Sequence, residues 1–208
     1  MSNSPVIAFL NKMTDLILLN VIFLLCCLPV VTIGAAVTAM YYVCIISIRQ
    51  GDGYVVKRFF QSFRSNFKQA TLLWLPMLLI GLFLGFDLLF WYQIGTGFAK
   101  IMFVLSAIVA AVLIMIGLYI FPVLAKLEGT ILQTIKNAAA FAIGYLPYTL
   151  ILLLLTGGFF YLNVISLGMN AVTVFIGIAG LAYVKSFFIY KVMMNHIDEK
   201  YDDFMVDE

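Results

Sequence analysis

The sequence predicts an all-α fold, a polytopic integral membrane bundle of about six transmembrane helices with cytoplasmic interfacial helices. Three observations predict it. Hydrophobic residues make up 64% of the chain and charged residues only 11%, where a soluble domain carries about 25% charged residues. Too few charges remain to cover a water-facing surface, and a mean hydropathy of +1.11 agrees. The charges that do occur are gathered between long uncharged runs, the first of them reaching from Asp15 to Arg49. Finally, 208 residues accommodate one membrane domain, 1–195, followed by an acidic tail, 196–208. Spans of about 20–25 residues with short connections would fill that domain with six crossings.

The first uncharged run is too long for one crossing. As a single helix it would extend about 50 Å at about 1.5 Å per residue, against a hydrocarbon core about 30 Å thick. Pro29 and Gly34 supply a break, because proline removes a backbone donor and glycine permits a turn. The expected helices are 6–28 and 33–48, with Lys12 and Asp15 on the first turns near the headgroups. The first run lacks a weighty basic leader and an Ala-x-Ala site after it, so it is expected to stay as a membrane helix rather than be cleaved. A third span is expected at 70–92 and a fourth at 101–124. The uncharged region between Lys136 and Lys185 is interrupted by the polar, glycine-containing stretch 163–170. It therefore yields a fifth span at 144–162 and a sixth at 171–190.

Basic residues set the orientation. Arg49, Lys57, Arg58, Arg64 and Lys68 fall between spans two and three against the single Asp52. Lys126 and Lys136 lie between spans four and five, and Lys185 and Lys191 end the sixth. The opposite connections contain only Lys100. This distribution places both termini in the cytoplasm, and Lys185 is expected to snorkel to the interface. The formal net charge of +2 requires no nucleic-acid partner, and the lipid bilayer is the expected surrounding. The acidic tail reads as a solvated segment.

The segment 54–68 holds too many cations to be a span. On a helical wheel Val55, Val56, Phe59, Phe60, Phe63 and Phe67 form one face, and Lys57, Arg64 and Lys68 cluster opposite. Two readings stand side by side: a helix lying in the membrane interface, or one packed beneath the bundle with its Phe stripe as core. In either reading Lys57, Phe59, Phe60, Phe63, Arg64, Phe67 and Lys68 make a cytoplasmic elbow and a candidate interface. A second elbow at 130–142 matches the first. Phe59–Ser65 (FFQSFRS) and Ile131–Asn137 (ILQTIKN) agree position by position in character. Each is followed by aromatic-Leu-Pro, Trp74-Leu75-Pro76 and Tyr145-Leu146-Pro147. Such a pair would be a parallel repeat, as some transporters have, although seven positions make a short signal.

Few residues point to chemistry. Asp15 on the first turns of span one apart, Asp87 is the only acidic residue inside an expected span, where an ionisable group is costly, and it is the candidate for ion coupling. Structural pairing, with Lys100 for instance, is the plainer alternative. Val31-Thr32-Ile33-Gly34 has the start of a potassium-filter loop but continues Ala35-Ala36 in place of Gly-Tyr-Gly, so a tight turn is expected there. Cys26, Cys27 and Cys44 form neither a disulfide frame nor a metal site. His196 is the only histidine, and Ser47, Ser106 and Ser166 have no triad signature around them. No catalytic, cofactor-binding or metal residues are expected, and no enzyme activity.

An elbow leading into a span that opens with aromatic-Leu-Pro resembles the cytoplasmic loop by which sugar ABC permeases dock their ATPase. This chain has no G-x-x-x-x-G-K-[ST] sequence of its own. A stronger resemblance rests on Leu19-Asn20, Cys27 to Ala36, Ala39-Met40-Tyr41-Tyr42, Arg49, Gly51, Gly53-Tyr54, Phe59-Phe60, Phe63, Asn66 to Ala70 and Leu73-Trp74. This pattern, about a third of the chain, resembles the hallmark region of the YesL-like family of bacterial membrane proteins, a domain of unknown function. Such proteins are typically encoded beside carbohydrate ABC importers and two-component regulators of Gram-positive bacteria. The resemblance implies an auxiliary of carbohydrate uptake in the bacterial cell membrane, with the permease subunits and their ATPase as partners. It brings no functional residues. A stand-alone small-solute transporter and a membrane sensor serving a two-component system are the alternatives.

Overall fold

The computed structural model describes residues 5–50, 54–127 and 129–194. Among these residues there is no strand. The order is α1 (Pro5–Cys26), a 3-10 turn (Val30–Thr32), α2 (Ile33–Gln50), α3 (Val55–Ile94), α4 (Gly97–Lys126), α5 (Ile131–Gly144), α6 (Leu146–Ile165), α7 (Leu167–Val172), a π-helical stretch (Thr173–Gly177) and α8 (Ile178–Met194). The helix ends follow local chemistry. Gly95 takes the left-handed conformation with φ 68° and closes α3, and the Thr96 hydroxyl accepts from the Ala99 amide at 3.3 Å to open α4. Thr130 and Gln133 form a capping box at the start of α5. Ser166 caps α7 by accepting from the Met169 amide.

Among the described residues five helices are long and apolar enough to cross a membrane: α1, α3, α4, α6 and the stretch Leu167–Met194. The expected count was about six, and α2, whose apolar part is the shorter Val30–Ile46, falls below the length required. The reason lies in its surroundings. Ala35, Ala36, Thr38, Ala39, Met40, Tyr41, Val43, Cys44 and Ile45 are all buried. Protein, rather than lipid, covers most of α2. It is the axis against which α1, α3, α4 and α8 pack.

A second difference concerns the first elbow. Segments 54–68 and 70–92 were expected as separate helices, but the structure joins them in one helix of 40 residues, Val55–Ile94, with Pro76 inside it. At about 1.5 Å per residue α3 is about 60 Å long. Charge patterning marks where a helix meets a polar medium, not where it stops, and nothing between Lys68 and Ala70 breaks a helix. Val55, Phe59, Ser62, Ala70 and Leu73 form its buried seam, at helical spacing. The expected single apolar face is therefore divided. Phe59 is wholly enclosed, whereas Val56 and Phe60 are 42% and 40% exposed and point away. In the second elbow α5 does stop, at Tyr145, and α6 begins anew with Pro147 in its first turn. The two segments that match in sequence thus differ in continuity.

The α1–α2 turn is fixed tightly to α3. The Trp74 indole donates to the Val30 carbonyl at 2.8 Å. The Thr32 hydroxyl donates to the Cys26 and Pro29 carbonyls, which closes the turn upon itself. A Cβ at Gly34 would stand 2.6 Å from the Trp74 Cβ and 2.7 Å from the Ala70 carbonyl oxygen. Gly34 is the contact point of the two helices. The filter-like sequence there is a packing turn.

Beyond Leu73 no residue of α3 is buried, and in α4 the buried stretch begins only at Tyr119, Ala99 at the tip excepted. The far halves of α3 and α4 form a two-helix hairpin, closed by Met77 against Gly117, that runs on past the α1–α2 turn. Its surface carries Leu79, Leu82, Phe83, Phe86, Leu89 and Ile101, all well exposed.

Candidate functional site

In a bundle this apolar, the polar side chains held inside are the informative ones, since each needs a partner or a purpose. Three groupings of polar side chains stand apart from the hydroxyls bonded within the helix packing, such as the buried Tyr119–Thr149 pair.

The first is the meeting of α1, α2, the start of α3, and α8. A crevice there is lined by Lys12, Asp15, Arg58 and Tyr183 above an apolar floor of Leu16, Leu19, Val43 and Val55, with Cys44 in its wall. Lys12 lies over the Tyr183 ring, its ammonium 4.6 Å from the centroid, a cation–π contact. Lys185 and Ser186 sit on the same helix as Tyr183. The Lys185 side chain is buried at 7% exposure and approaches the Tyr41 ring at 6.0 Å. This corrects the expectation that it snorkels: it points among α2 and α8, and the bundle covers it. Lys126, at the end of α4, is similarly caged, 4.5 Å over the Tyr190 ring with Met194 Sδ at 3.7 Å.

The second place is a clamp on the irregular helix. Asn20 is fully buried. Its amide nitrogen donates to the Thr173 and Val174 carbonyls at 3.1 and 2.6 Å, and its amide oxygen accepts from the Ala179 amide at 2.9 Å. A π-helical turn withdraws backbone groups from regular pairing, and in lipid such groups must be met by protein. Asn20 meets three at once. The Thr173 hydroxyl donates to the Asn163 side-chain oxygen at 2.7 Å, so α1, α6 and α7–α8 are tied at one level.

The third place is the outer hairpin. One carboxylate oxygen of Asp87 accepts from the Trp91 indole at 3.0 Å, and the other accepts from the Ser106 hydroxyl. Its partners are therefore Trp91 and Ser106, with Lys100 exposed elsewhere on α4. Asp87 and Ser106 bridge α3 and α4 within their apolar halves.

Among the elbow residues, Lys57, Phe60, Arg64 and Lys68 are exposed, Phe59 is buried, and Phe63 and Phe67 are half-buried. Phe59, Phe63 and Phe67 run as a ladder, with centroids 6.0 and 5.7 Å apart. The cations project from the opposite face. His196 and the tail 196–208 lie outside the described residues, as does the side chain of Ser47. Cys26, Cys27 and Cys44 are free thiols. Ser166 serves as a helix cap. Among the described residues no three His, Cys, Asp or Glu side chains gather as a metal site would require.

Sequence reasoning did not find the Asn20 clamp or the burial of Lys185. Asn20 occurred only as one letter of a pattern, and its partners are backbone groups 153 and more positions away. The profile of a family described as "Protein of unknown function, DUF624" matches residues 16–88 of the chain. The matched stretch contains Asn20, Gly34, Trp74 and Asp87. No curated protein and no solved structure matches the chain.

Proposed function

We propose that this chain is an auxiliary membrane subunit of a carbohydrate ABC importer, docked laterally on the permease through the outer hairpin of α3 and α4. The observation that carries the docking is that, among the described residues, none beyond Leu73 on α3 is buried, and on α4 none before Tyr119 except Ala99. Gly81 and Gly85, one helical turn apart on α3, are exposed, and among the described residues nothing beyond the helix's own backbone and their chain neighbours lies within 4 Å of where a Cβ would stand. Helix pairing in lipid relies on small residues that let backbones approach, and this face is free for a partner helix. The carbohydrate assignment rests on the YesL-like resemblance and on the likeness of the elbow to a permease docking loop. In this reading α2 supplies a sixth crossing beside the five long apolar helices, and the cationic elbows face the cytoplasm of a bacterial cell together with both termini.

Affinity purification in mild detergent is expected to recover the permease or its ATPase with this chain. Gly81→Leu with Gly85→Leu is expected to reduce that recovery at least about fivefold while leaving the chain folded. Recovery of the chain alone from cells producing the importer would defeat the proposal.

The Asp87–Ser106 bridge favours a second reading, a stand-alone small-solute transporter in which Asp87 couples ion movement to transport. Reconstituted vesicles would then show solute flux that Asp87→Asn lowers by about tenfold or more, since a charged hydrogen-bonded group contributes about 1.5–3 kcal/mol. Flux indifferent to that substitution would remove Asp87 from the mechanism.

A further inference from the structure

We propose that the outward row of cations on the first half of α3, Lys57, Arg64 and Lys68, with Lys136 of α5 beside it, binds the headgroups of anionic phospholipids. The buried seam Val55, Phe59, Ser62, Ala70 and Leu73 fixes how α3 is turned about its axis. Steps of seven and four residues keep the three cations in one row on the opposite side, and all three are exposed. The second elbow repeats this arrangement in burial as well as in sequence. Ser62 and Thr134 occupy matching positions and both are buried; Arg64 and Lys136, two residues on, are both exposed. The Gln69 side-chain nitrogen donates to the Gly129 carbonyl at 3.1 Å, so the start of α5 lies beside Lys68. Among the described residues no hydrogen bond, ion pair or ring contact engages Lys57, Arg64, Lys68 or Lys136. The surrounding sequence leaves the charge unbalanced. Segments 49–68 and 126–136 hold Arg49, Arg58 and Lys126 besides these four, against only Asp52 and Glu128.

Position decides the partner. Beyond Lys68, α3 runs without a charge to Asp87 and exposes Leu79, Leu82 and Phe83, the surface of a lipid-facing helix. A polybasic segment joined directly to such a span stands at the leaflet surface, where each cation strengthens association with anionic lipid. The row from Lys57 to Lys68 is about 16 Å long at about 1.5 Å per residue. The headgroup layer of one leaflet is only about 5–8 Å deep. Lys68 and Arg64, about 6 Å apart along the axis, therefore touch phosphates directly, the guanidinium through paired donors. Lys57 stands further out and acts through the surface potential, which fades within a Debye length of about 8 Å. The contribution is graded along the helix, largest at Lys68 and Arg64.

Native mass spectrometry of the full chain in neutral detergent, titrated with phosphatidylglycerol or phosphatidylcholine, measures the preference. The wild type is expected to bind phosphatidylglycerol more tightly, and less so as the electrolyte concentration is raised. Arg64→Gln with Lys68→Gln is expected to weaken phosphatidylglycerol binding by about fivefold for each cation removed, and Lys57→Gln by less. Arg64→Lys with Lys68→Arg keeps both charges, and Gln61→Ala changes an exposed, uncharged neighbour; both should match the wild type. Glutamine is a good helix former, and the electrolyte response of the wild type gives a reading that needs no variant. Equal binding of the two lipids by the wild type, indifference to electrolyte, or undiminished binding after Arg64→Gln with Lys68→Gln would overturn the proposal. Permease recovery that depends on these cations, in a chain without lipid preference, would give the row to an acidic protein and overturn it too.

Discussion

Asn20→Leu is expected to destabilise the protein by about 2–4 kcal/mol, the largest effect of any single polar substitution in the bundle. The size follows from the number of groups involved. Asn20 satisfies two carbonyls and one amide of the π-helical region, and each hydrogen bond contributes about 1 kcal/mol net, within the range seen inside membranes. Leucine is close in volume, so the loss reports the polar groups rather than a cavity. Thermal unfolding in mild detergent measures the magnitude. Hydrogen exchange at the Ala179 amide gives the mechanism, and it is expected to quicken because that donor loses its acceptor. Exchange unchanged at Ala179 would mean that the helix reforms regular pairing unaided and that the clamp is dispensable.

Gly34→Val is expected to be comparably damaging, by about 1–3 kcal/mol or more. A Cβ here meets the Trp74 Cβ and the Ala70 carbonyl at less than 3 Å; neither is the free end of a flexible side chain, so α2 and α3 must separate. The separation would also draw the Trp74 indole from the Val30 carbonyl, now 2.8 Å away. Tryptophan fluorescence should therefore shift along with the unfolding temperature. Gly144→Val is the control, since nothing lies within 4 Å of a Cβ there. It should remain much nearer to wild type, with only the smaller helix-propensity change to distinguish it. Equal behaviour of the two variants would refute close packing at Gly34.

The sequence made the helical membrane character plain because that property depends on local composition. Uncharged runs must be helices when lipid surrounds them, and Pro29 with Gly34 marks a turn irrespective of context. Environment was harder to read. The Phe stripe of the elbow is periodic, but periodicity alone does not say whether protein or lipid covers it, and the structure encloses Phe59 while exposing Phe60. Lys185 has the position of a snorkelling lysine. Only the packing of α8 across α2 turns its side chain inward. Asp87 was singled out by its charge, whereas its partners were not, because Ser106 is an ordinary serine until α4 folds back along α3.

Lipid must come to terms with a rod of about 60 Å. To fit wholly inside a 30 Å slab, α3 would have to lean by about 60°, beyond the 0–40° range of membrane helices. Its charged half therefore stands in the headgroups and the water beyond them. The α1–α2 turn, held at Trp74, lies a full tier below the Gly95 corner. Wetting both tiers calls for a membrane of unequal thickness around the protein's circumference, shallow beside Pro29 and deep beside Phe86. Long-chain lipids and tall neighbouring helices would collect on the deep flank, so elastic sorting by the bilayer would already favour encounters there before any direct contact forms.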